Sequence, residues 1–491
     1  MTDRPSHPLD PLFFPARVAV IGASPKPEAR ANQWIEGYLH MGFQGQLYPV
    51  HPTAEHILGY RAYPRVRDIP EPLDLAVFCV PSGRVLPVLE DCAANHTRFV
   101  HLYTAGFSET GREENAALER EVLALARGAG IRLLGPNCMG VYCPEGHIAW
   151  GREFPTTPGP VGLVSQSGQL AGQFVTEAGA HGLAFSKVVS FGNATDLQAH
   201  EFFEYLAQDE KTTVIASYLE GLKDGREFFE FARRTTRNKP VVVWKGGQTE
   251  GGSRATRSHT GSIAGSQKIW QALCHQAGVI SVDTMEELLA AVTGLLKLPL
   301  PRGVRVAVLG GAGGGSVTMT DLAEKEGLRV PKLSDATIRS LEEFVPLEGS
   351  SVSNPLDIMG ALRRGQGEDR FMTLFRLLRD DPNVDALLYH LRIDWILRRG
   401  GRALIDRFVG TTVEGLRILE KPALIVVGRG QSLEDEAARL EAEVRLTAAG
   451  AATFDTFPLA ARVLAHLDAY RRHLESSGQA GRTAAGPSPG A

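Results

Sequence analysis

RVAVIGAS, residues 17–24, sets a short β-branched run against a Gly-Ala-Ser turn. The same layout returns as VGLVSQSG at 161–168 and as VRVAVLGGAGGG at 304–315. Each is followed by further apolar runs of strand length, separated by stretches with helical periodicity. That alternation predicts an α/β protein with parallel sheets, built as three doubly wound domains. A chain of 491 residues has room for about three domains of ordinary size. Proline-rich stretches at 151–160 (GREFPTTPGP) and 298–303 (LPLPRG) read as linkers and place the domains at 1–150, 151–300 and 301–473, with 474–491 as a disordered tail.

In the first unit, predicted strands at 17–21, 46–50, 73–80, 98–103 and 131–134 end in small or polar residues. Those ends are Gly22-Ala23-Ser24, His51-Pro52, Val80-Pro81-Ser82, Thr104-Ala105-Gly106 and Gly135-Pro136-Asn137. In doubly wound sheets this is the edge that binds ligands. The Gly22 turn is expected to present backbone N–H groups and a helix start to a phosphate. A nicotinamide cofactor is disfavoured: GASPKP is not G-x-G-x-x-G, and the second strand ends in His51 with no acidic residue to hold a ribose. A nucleotide bearing a phosphate near its ribose, such as coenzyme A, fits better.

Composition narrows the classes further. Hydrophobic residues make up 43% of the chain, with no apolar run long enough to span a membrane, and a net charge of −4 comes without a basic block. Neither a membrane nor nucleic acid is expected as a partner. The N-terminus lacks a signal-peptide layout, and the five scattered cysteines read as reduced thiols of a cytoplasmic protein, with no metal-ligand spacing.

In the second unit, Ser165, Gln166, Ser167 and Gly168 lie at a helix start, and the helix that follows buries Leu170, Ala171, Phe174, Val175 and Ala178 as one stripe. Capping that helix needs only one of the two serines. A strand at 214–219 ends in Glu220-Gly221, and another at 240–245 feeds a long Gly/Ser/Thr loop carrying His259 between Ser258 and Thr260. A helix with Ile269, Trp270, Leu273, Cys274 and Ala277 then stops at Gly278. A histidine among small donors suits phosphate chemistry, since imidazole is a nucleophile at neutral pH. Glu220, on the same edge, is either the acceptor that fixes the imidazole tautomer or a solvated loop carboxylate. In the third unit, the Gly310–Gly315 turn either binds an anion or simply lets helix and strand approach closely.

These residues resemble a known family. VIGAS, GFQGQLYPVHP (42–52), DLAVFCVPS (74–82), AGFSETG (105–111), RLLGPNCMG (132–140), GLVSQSG, SFGNATDLQAHEFFEYLAQD (190–209), YLEGLKDGREFF (218–229), SHTGSIAGS (258–266) and NPLDIMG (354–360) follow one another in order. Together they resemble the α subunit, or α-like half, of NDP-forming acyl-CoA synthetases, the ADP-forming acetate–CoA ligases related to succinyl-CoA synthetase. The resemblance implies a CoA-binding Rossmann-like domain, a flavodoxin-like domain and a third, ligase-CoA-type domain.

It also implies the reaction acyl-CoA + ADP + phosphate ⇌ carboxylic acid + ATP + CoA through a phosphohistidine. By motif, His259 is the expected phosphoryl carrier, Glu220 its orienting acid, and Ser165, Gln166, Ser167 and Gly168 the phosphate-holding helix start. Coenzyme A is expected across Gly22, Ala23, Ser24, His51, Pro52, Val80, Pro81 and Asn137. No ATP-grasp module is recognisable, and GGQTEGGS (246–253) lacks the lysine of a P-loop. The resemblance therefore implies an ATP-grasp β subunit as partner, which would carry ADP/ATP and Mg2+. The rival expectation is a CoA- or acyl-CoA-binding regulatory protein that does not turn over.

Overall fold

Val18, Ala19 and Val20 have no exposed surface, as strands covered on both faces require. The computed structural model describes residues 7–260, 266–311, 313–346, 348–362 and 367–478, without the side chains of 257–260 and 367–368. The chain divides into two compact units after Leu288. That division falls inside the helix Met285–Lys297 rather than in the Leu298–Gly303 stretch.

The first unit holds two sheets. β1 (Arg17–Ile21), β2 (Gln46–Val50), β5 (Leu75–Phe78), β6 (Phe99–Leu102) and β7 (Arg132–Leu134) form a parallel sheet in the order β2-β1-β5-β6-β7, with a small hairpin of β3 (His56–Ile57) and β4 (Tyr60–Arg61) beyond it. The second sheet contains β8 (Gly140–Tyr142), β9 (Pro158–Ser165), β10 (Phe185–Ser190), β11 (Val214–Leu219), β12 (Val241–Lys245) and β13 (Ile280–Val282). Its order is β13-β12-β11-β9-β10-β8, parallel except for β8.

In the second unit, β14 (Val306–Leu309), β15 (Ala386–His390), β16 (Ala423–Val426) and β17 (Ala452–Phe454) form a parallel sheet in chain order. Side chains alternate between sheet faces, so Val306, Val308, Leu388 and Val426 join one core, while Ala307, Leu309, Leu387 and Ile425 join the other. Both faces are covered, and the strands read as unbroken apolar runs.

The structure departs from the sequence reading in four places. Gly140–Tyr142 pairs antiparallel with β10, so the chain enters the second sheet before residue 150. The stretch at 151–160 is packed: Phe154 is buried and stacks on Tyr142 at 5.1 Å, and β9 already begins at Pro158. Residues Glu250–Thr260 are helix, not loop. The Thr249 hydroxyl accepts the Gly252 N–H at 3.0 Å, and Arg254 pairs with Glu250 one turn back, so local capping forms a helix that carries no apolar stripe. Finally, Phe457–Ser476 is one helix, which extends order past 473; residues 479–491 lie outside the described residues. All five cysteines are free thiols, four of them buried.

The two sheets of the first unit are joined by a polar seam. Asp196, nearly buried, takes the Arg132 guanidinium at 2.8 Å and the Leu133 N–H at 3.0 Å. Glu119 accepts from the Ser108 N–H at 2.9 Å and from the Thr195 hydroxyl. The backbone completes it: Asn193 N–H donates to Pro136 O, Thr195 N–H to Gly135 O and Leu197 N–H to Leu133 O.

Lys187 on β10 and Asp209 form an ion pair at 2.8 Å with side chains 1% and 4% exposed. Burial alone would raise the Asp209 carboxyl, but the Lys187 ammonium and the Thr212 hydroxyl hold it below the usual range. Asp209→Asn is expected to cost about 3–5 kcal/mol, because it strands a buried ammonium, and the double variant Lys187→Met/Asp209→Leu to cost less. Urea unfolding midpoints of the two variants and the parent measure this.

His101 on β6 is fully packed, with Nε2 3.0 Å from Cys138 O, so that nitrogen carries the proton. Burial lowers its pKa to about 4, against a hydrogen bond that works the other way. The unfolded imidazole protonates near pH 6.5, so the unfolded state binds the extra proton first as pH falls. Stability therefore drops between about pH 6.5 and pH 4, by about 3 kcal/mol from this group. His101→Gln should flatten that part of the stability–pH curve, read as unfolding free energy at half-unit pH steps.

Candidate active site

Parallel strands joined by right-handed crossovers bring all their C-terminal ends to one edge. In the second sheet the strand order reverses around β9: β10 lies on one side and β11 on the other. A crevice opens at such a point. Gln166, Ala194, Gly221, Leu222 and Lys223 line a small cavity there. Ser165 is the last residue of β9, and its hydroxyl donates to Ser167 O at 2.7 Å. Ser167 caps the helix Gly168–Ala180, accepting the Leu170 N–H at 3.3 Å. Gly168 cannot be replaced without a clash, because a Cβ there would lie 2.4 Å from Met139 Cγ.

Glu220 directly follows β11 and is 7% exposed. The Gln166 side-chain oxygen accepts both the Glu220 N–H at 2.8 Å and the Gly221 N–H at 3.2 Å. The structure thus brings together Ser165, Gln166, Ser167, Gly168 and Glu220. His259 lies in the last turn of the helix Glu250–Thr260, which starts after the neighbouring β12 and packs beside the Ser108–Thr110 turn. The His259 side chain lies outside the described residues.

Two further residues at this edge escaped the sequence reading. Lys245, the last residue of β12, is 7% exposed, and its Nζ donates to Glu220 O and Gly246 O, both at 2.6 Å. Burial pushes its ammonium below the ordinary lysine range, partly offset by the Glu220 charge. Tyr218 donates its hydroxyl to Glu220 Oε1 at 3.2 Å. The signal for Tyr218 was present: residues two apart on a strand share a face.

The expected CoA residues all lie at the C-terminal edge of the first sheet, but several of their donors are already engaged. Gly22 has φ +92°, and a Cβ there would meet Cys79 O at 2.4 Å. Its N–H donates to Val50 O, and the Ser24 N–H to Asn32 Oδ1. Ala23 is buried. The His51 ring accepts the Thr53 and Ala54 N–H groups through Nδ1, which shapes the turn before the exposed Pro52. Val80 O accepts the Thr104 hydroxyl at 2.7 Å, and Pro81 is exposed. Asn137 sits at φ +59° in the seam, where Gly192 approaches its carbonyl. The Pro25–Glu28 segment with Lys26, ahead of the helix Asn32–His40, is exposed.

In the second unit, the turn after β14 lets Gly310 approach β15 closely, since a Cβ there would lie 2.2 Å from His390 O. The Gly313 N–H donates to Asp357 Oδ2 at 3.1 Å. Among the described residues, no helix is long and apolar enough to cross a membrane.

Comparison with known proteins gives two family models. A CoA binding domain matches residues 16–144, and a succinyl-CoA ligase like flavodoxin domain matches residues 158–295. The α subunit of ADP-forming acetate–CoA ligase II from Pyrococcus furiosus is 40% identical over 382 residues, covering 77% of this chain and 81% of that one. ADP-forming acetate–CoA ligase I from Archaeoglobus fulgidus is 39% identical over 383 residues, covering 77% of this chain and 54% of that relative. The chain thus spans about half the length of the latter. A solved structure, the dinucleotide forming acetyl-coenzyme A synthetase 1 of Ca. Korarchaeum cryptofilum in complex with phosphate and ADP, superposes with a TM-score of 0.81 at 32% identity. That match covers 96% of this chain and 98% of that one.

Gln166→Leu should leave two backbone N–H groups at this edge without their acceptor. The expected cost is about 1–3 kcal/mol, whereas Gln166→Glu keeps an oxygen in place and should cost less. Chemical denaturation of both variants checks the difference.

Proposed function

Since the chain belongs to the family of ADP-forming acyl-CoA ligases, we propose that it is the α-type module of such a ligase, converting acyl-CoA + ADP + phosphate to carboxylic acid + ATP + CoA. The observation that carries this reading is the edge at β9 and β11. A capped helix start, a fixed buried carboxylate and the helix bearing His259 all leave the C-terminal ends of β9, β11 and the adjacent β12.

His259 serves as the phosphoryl carrier. Glu220 accepts a proton-bearing ring nitrogen of the histidine, which leaves the other nitrogen free to attack an acyl phosphate. As the N–P bond forms, the P–O bond to the acyl group breaks and the carboxylate leaves. The transferred group carries roughly two negative charges. Ser165, Gln166, Ser167 and Gly168 hold it at the start of the helix Gly168–Ala180, where the dipole contributes about 0.3–1 kcal/mol, and more when partly buried.

Coenzyme A lies along the first sheet's edge over Gly22, Ala23, Ser24, His51, Pro52, Val80, Pro81 and Asn137. The open Lys26 segment suits its phosphates, and the engaged N–H groups of Gly22 and Ser24 leave recognition there to side chains and shape. The two edges meet at the seam of Asn137 and Asn193, which suits passage between thioester and phosphoryl chemistry. The nucleotide and Mg2+ belong to an ATP-grasp module, supplied by a separate β subunit. The alternative, a CoA-binding regulator, has no use for a buried, anchored carboxylate after β11 together with a histidine-bearing helix after the adjacent β12.

The test is labelling of the full chain by two routes: with acetyl-CoA and 32P-phosphate, and with γ-32P-ATP and an ATP-grasp subunit. Acid-labile, base-stable label that disappears in His259→Ala is expected. A parent chain left unlabelled by both routes, while it still binds CoA, would overturn the phosphohistidine reading.

A further inference from the structure

A glutamate just beyond a strand end has three free side-chain torsions, and the sheet ladder fixes none of them. Glu220 is nevertheless held at three points. The Gln166 oxygen takes its N–H, the Lys245 ammonium takes its carbonyl, and the Tyr218 hydroxyl takes Oε1 of its carboxylate.

The tyrosine is itself held firmly. Its strand neighbour in register is Trp244 on β12, and the two rings meet edge-to-face at 4.7 Å, a favourable aromatic geometry. Above the hydroxyl, the chain has Gly246, where a Cβ would lie 2.7 Å from Tyr218 Oη. A side chain at 246 would crowd the hydroxyl. Burial and the adjacent Glu220 charge both raise the Tyr218 pKa, so the phenol stays protonated and remains a donor. Lys245 closes the arrangement from the other side, tying the Glu220 carbonyl to Gly246 O. The residue that makes room for the hydroxyl is thus anchored to the residue the hydroxyl serves.

We propose that Tyr218 is a positioning residue for phosphoryl transfer: it fixes the Glu220 carboxylate, while Lys245 and Gly246 fix the backbone around it. This rests on the phosphohistidine reading above. Its physical basis is that a transfer step needs the orienting carboxylate within tenths of an ångström of one place, and a misplacement of about 1 Å can cost about 100-fold. With its hydroxyl on Oε1, the phenol narrows the orientations open to the Glu220 carboxylate. Tyr218 touches neither substrate nor the reacting nitrogen in this scheme; it acts only through Glu220.

The experiment is single-turnover labelling of the full chain by acetyl-CoA and 32P-phosphate. It compares the parent, Tyr218→Phe, Glu220→Gln and the double variant, with unfolding midpoints measured alongside. Tyr218→Phe is expected to slow labelling about 10-fold or more, with half-saturating phosphate and acetyl-CoA unchanged within a factor of about two. In the Glu220→Gln background the same substitution is expected to do nothing further, because the group it acts through is gone. A general loosening of the fold would instead lower the unfolding midpoint and multiply with Glu220→Gln. Equal rates for Tyr218→Phe and parent, or multiplicative effects in the double variant, overturn the proposal and leave the phosphohistidine reading standing. A parent chain that takes up no label by this route, nor from γ-32P-ATP with an ATP-grasp subunit, while it still binds CoA, overturns both.

Discussion

A single amide oxygen, Oε1 of Gln166, holds the working edge together. Residue 166 follows β9, and its oxygen takes the two N–H groups with which the chain leaves β11. The backbone ladder between these neighbouring strands ends with the Gln166 N–H on Tyr218 O, so it leaves the Glu220 and Gly221 N–H groups to a side chain. Without a side chain reaching across, the Glu220-Gly221 turn would have to satisfy its donors with water and would not be confined to one path. The helix start at Ser167, the cavity and the carboxylate of Glu220 all take their relative positions from that bridge.

The seam between the two sheets of the first unit does the same work on a larger scale. It is made of carboxylates rather than apolar contacts. Asp196 and Glu119 sit nearly out of water and accept from backbone N–H groups and from Arg132, Asn193 and Thr195. Buried charges of this kind add little net stability compared with a well-packed apolar contact, but they are costly to misalign. Their directionality fixes how the end of β7 meets the end of β10, and so how the edge expected to bind CoA meets the edge expected to bind phosphate.

Much of this was legible in the chain. β2 and β11 begin and end at the residues their apolar runs suggested, and of the stripe Leu170, Ala171, Phe174, Val175 and Ala178 all are buried except Leu170, which is half-buried. Strand ends announced the edges because Gly, Ser and Asn gather there. The helix Glu250–Thr260 was not legible: among its described side chains only Thr256 is buried, so no periodic apolar signal exists, and Thr249 and Arg254 stabilise it by contacts that propensity does not reveal. β8 was hidden for another reason. Three residues, Gly140–Tyr142, carry too little pattern to declare a strand, and only tertiary pairing with β10 makes them one. Tyr218 and Lys245 were passed over because a tyrosine and a lysine in a strand look like ordinary packing until their donors are seen on Glu220.

The strand β8 also bears on how this chain could be cut. It lies upstream of the proline-rich stretch that looks like a natural joint, yet it completes the far edge of the sheet downstream. A break near residue 150 would give an N-terminal piece carrying a strand that belongs elsewhere. The C-terminal piece would have β10 exposed as a new sheet edge, and bare edges of that kind invite pairing with other chains. Asp196 would lose Arg132 at the same stroke. The first unit is therefore poorly suited to division or exchange at its apparent linker, and a viable breakpoint has to lie on the near side of Gly140.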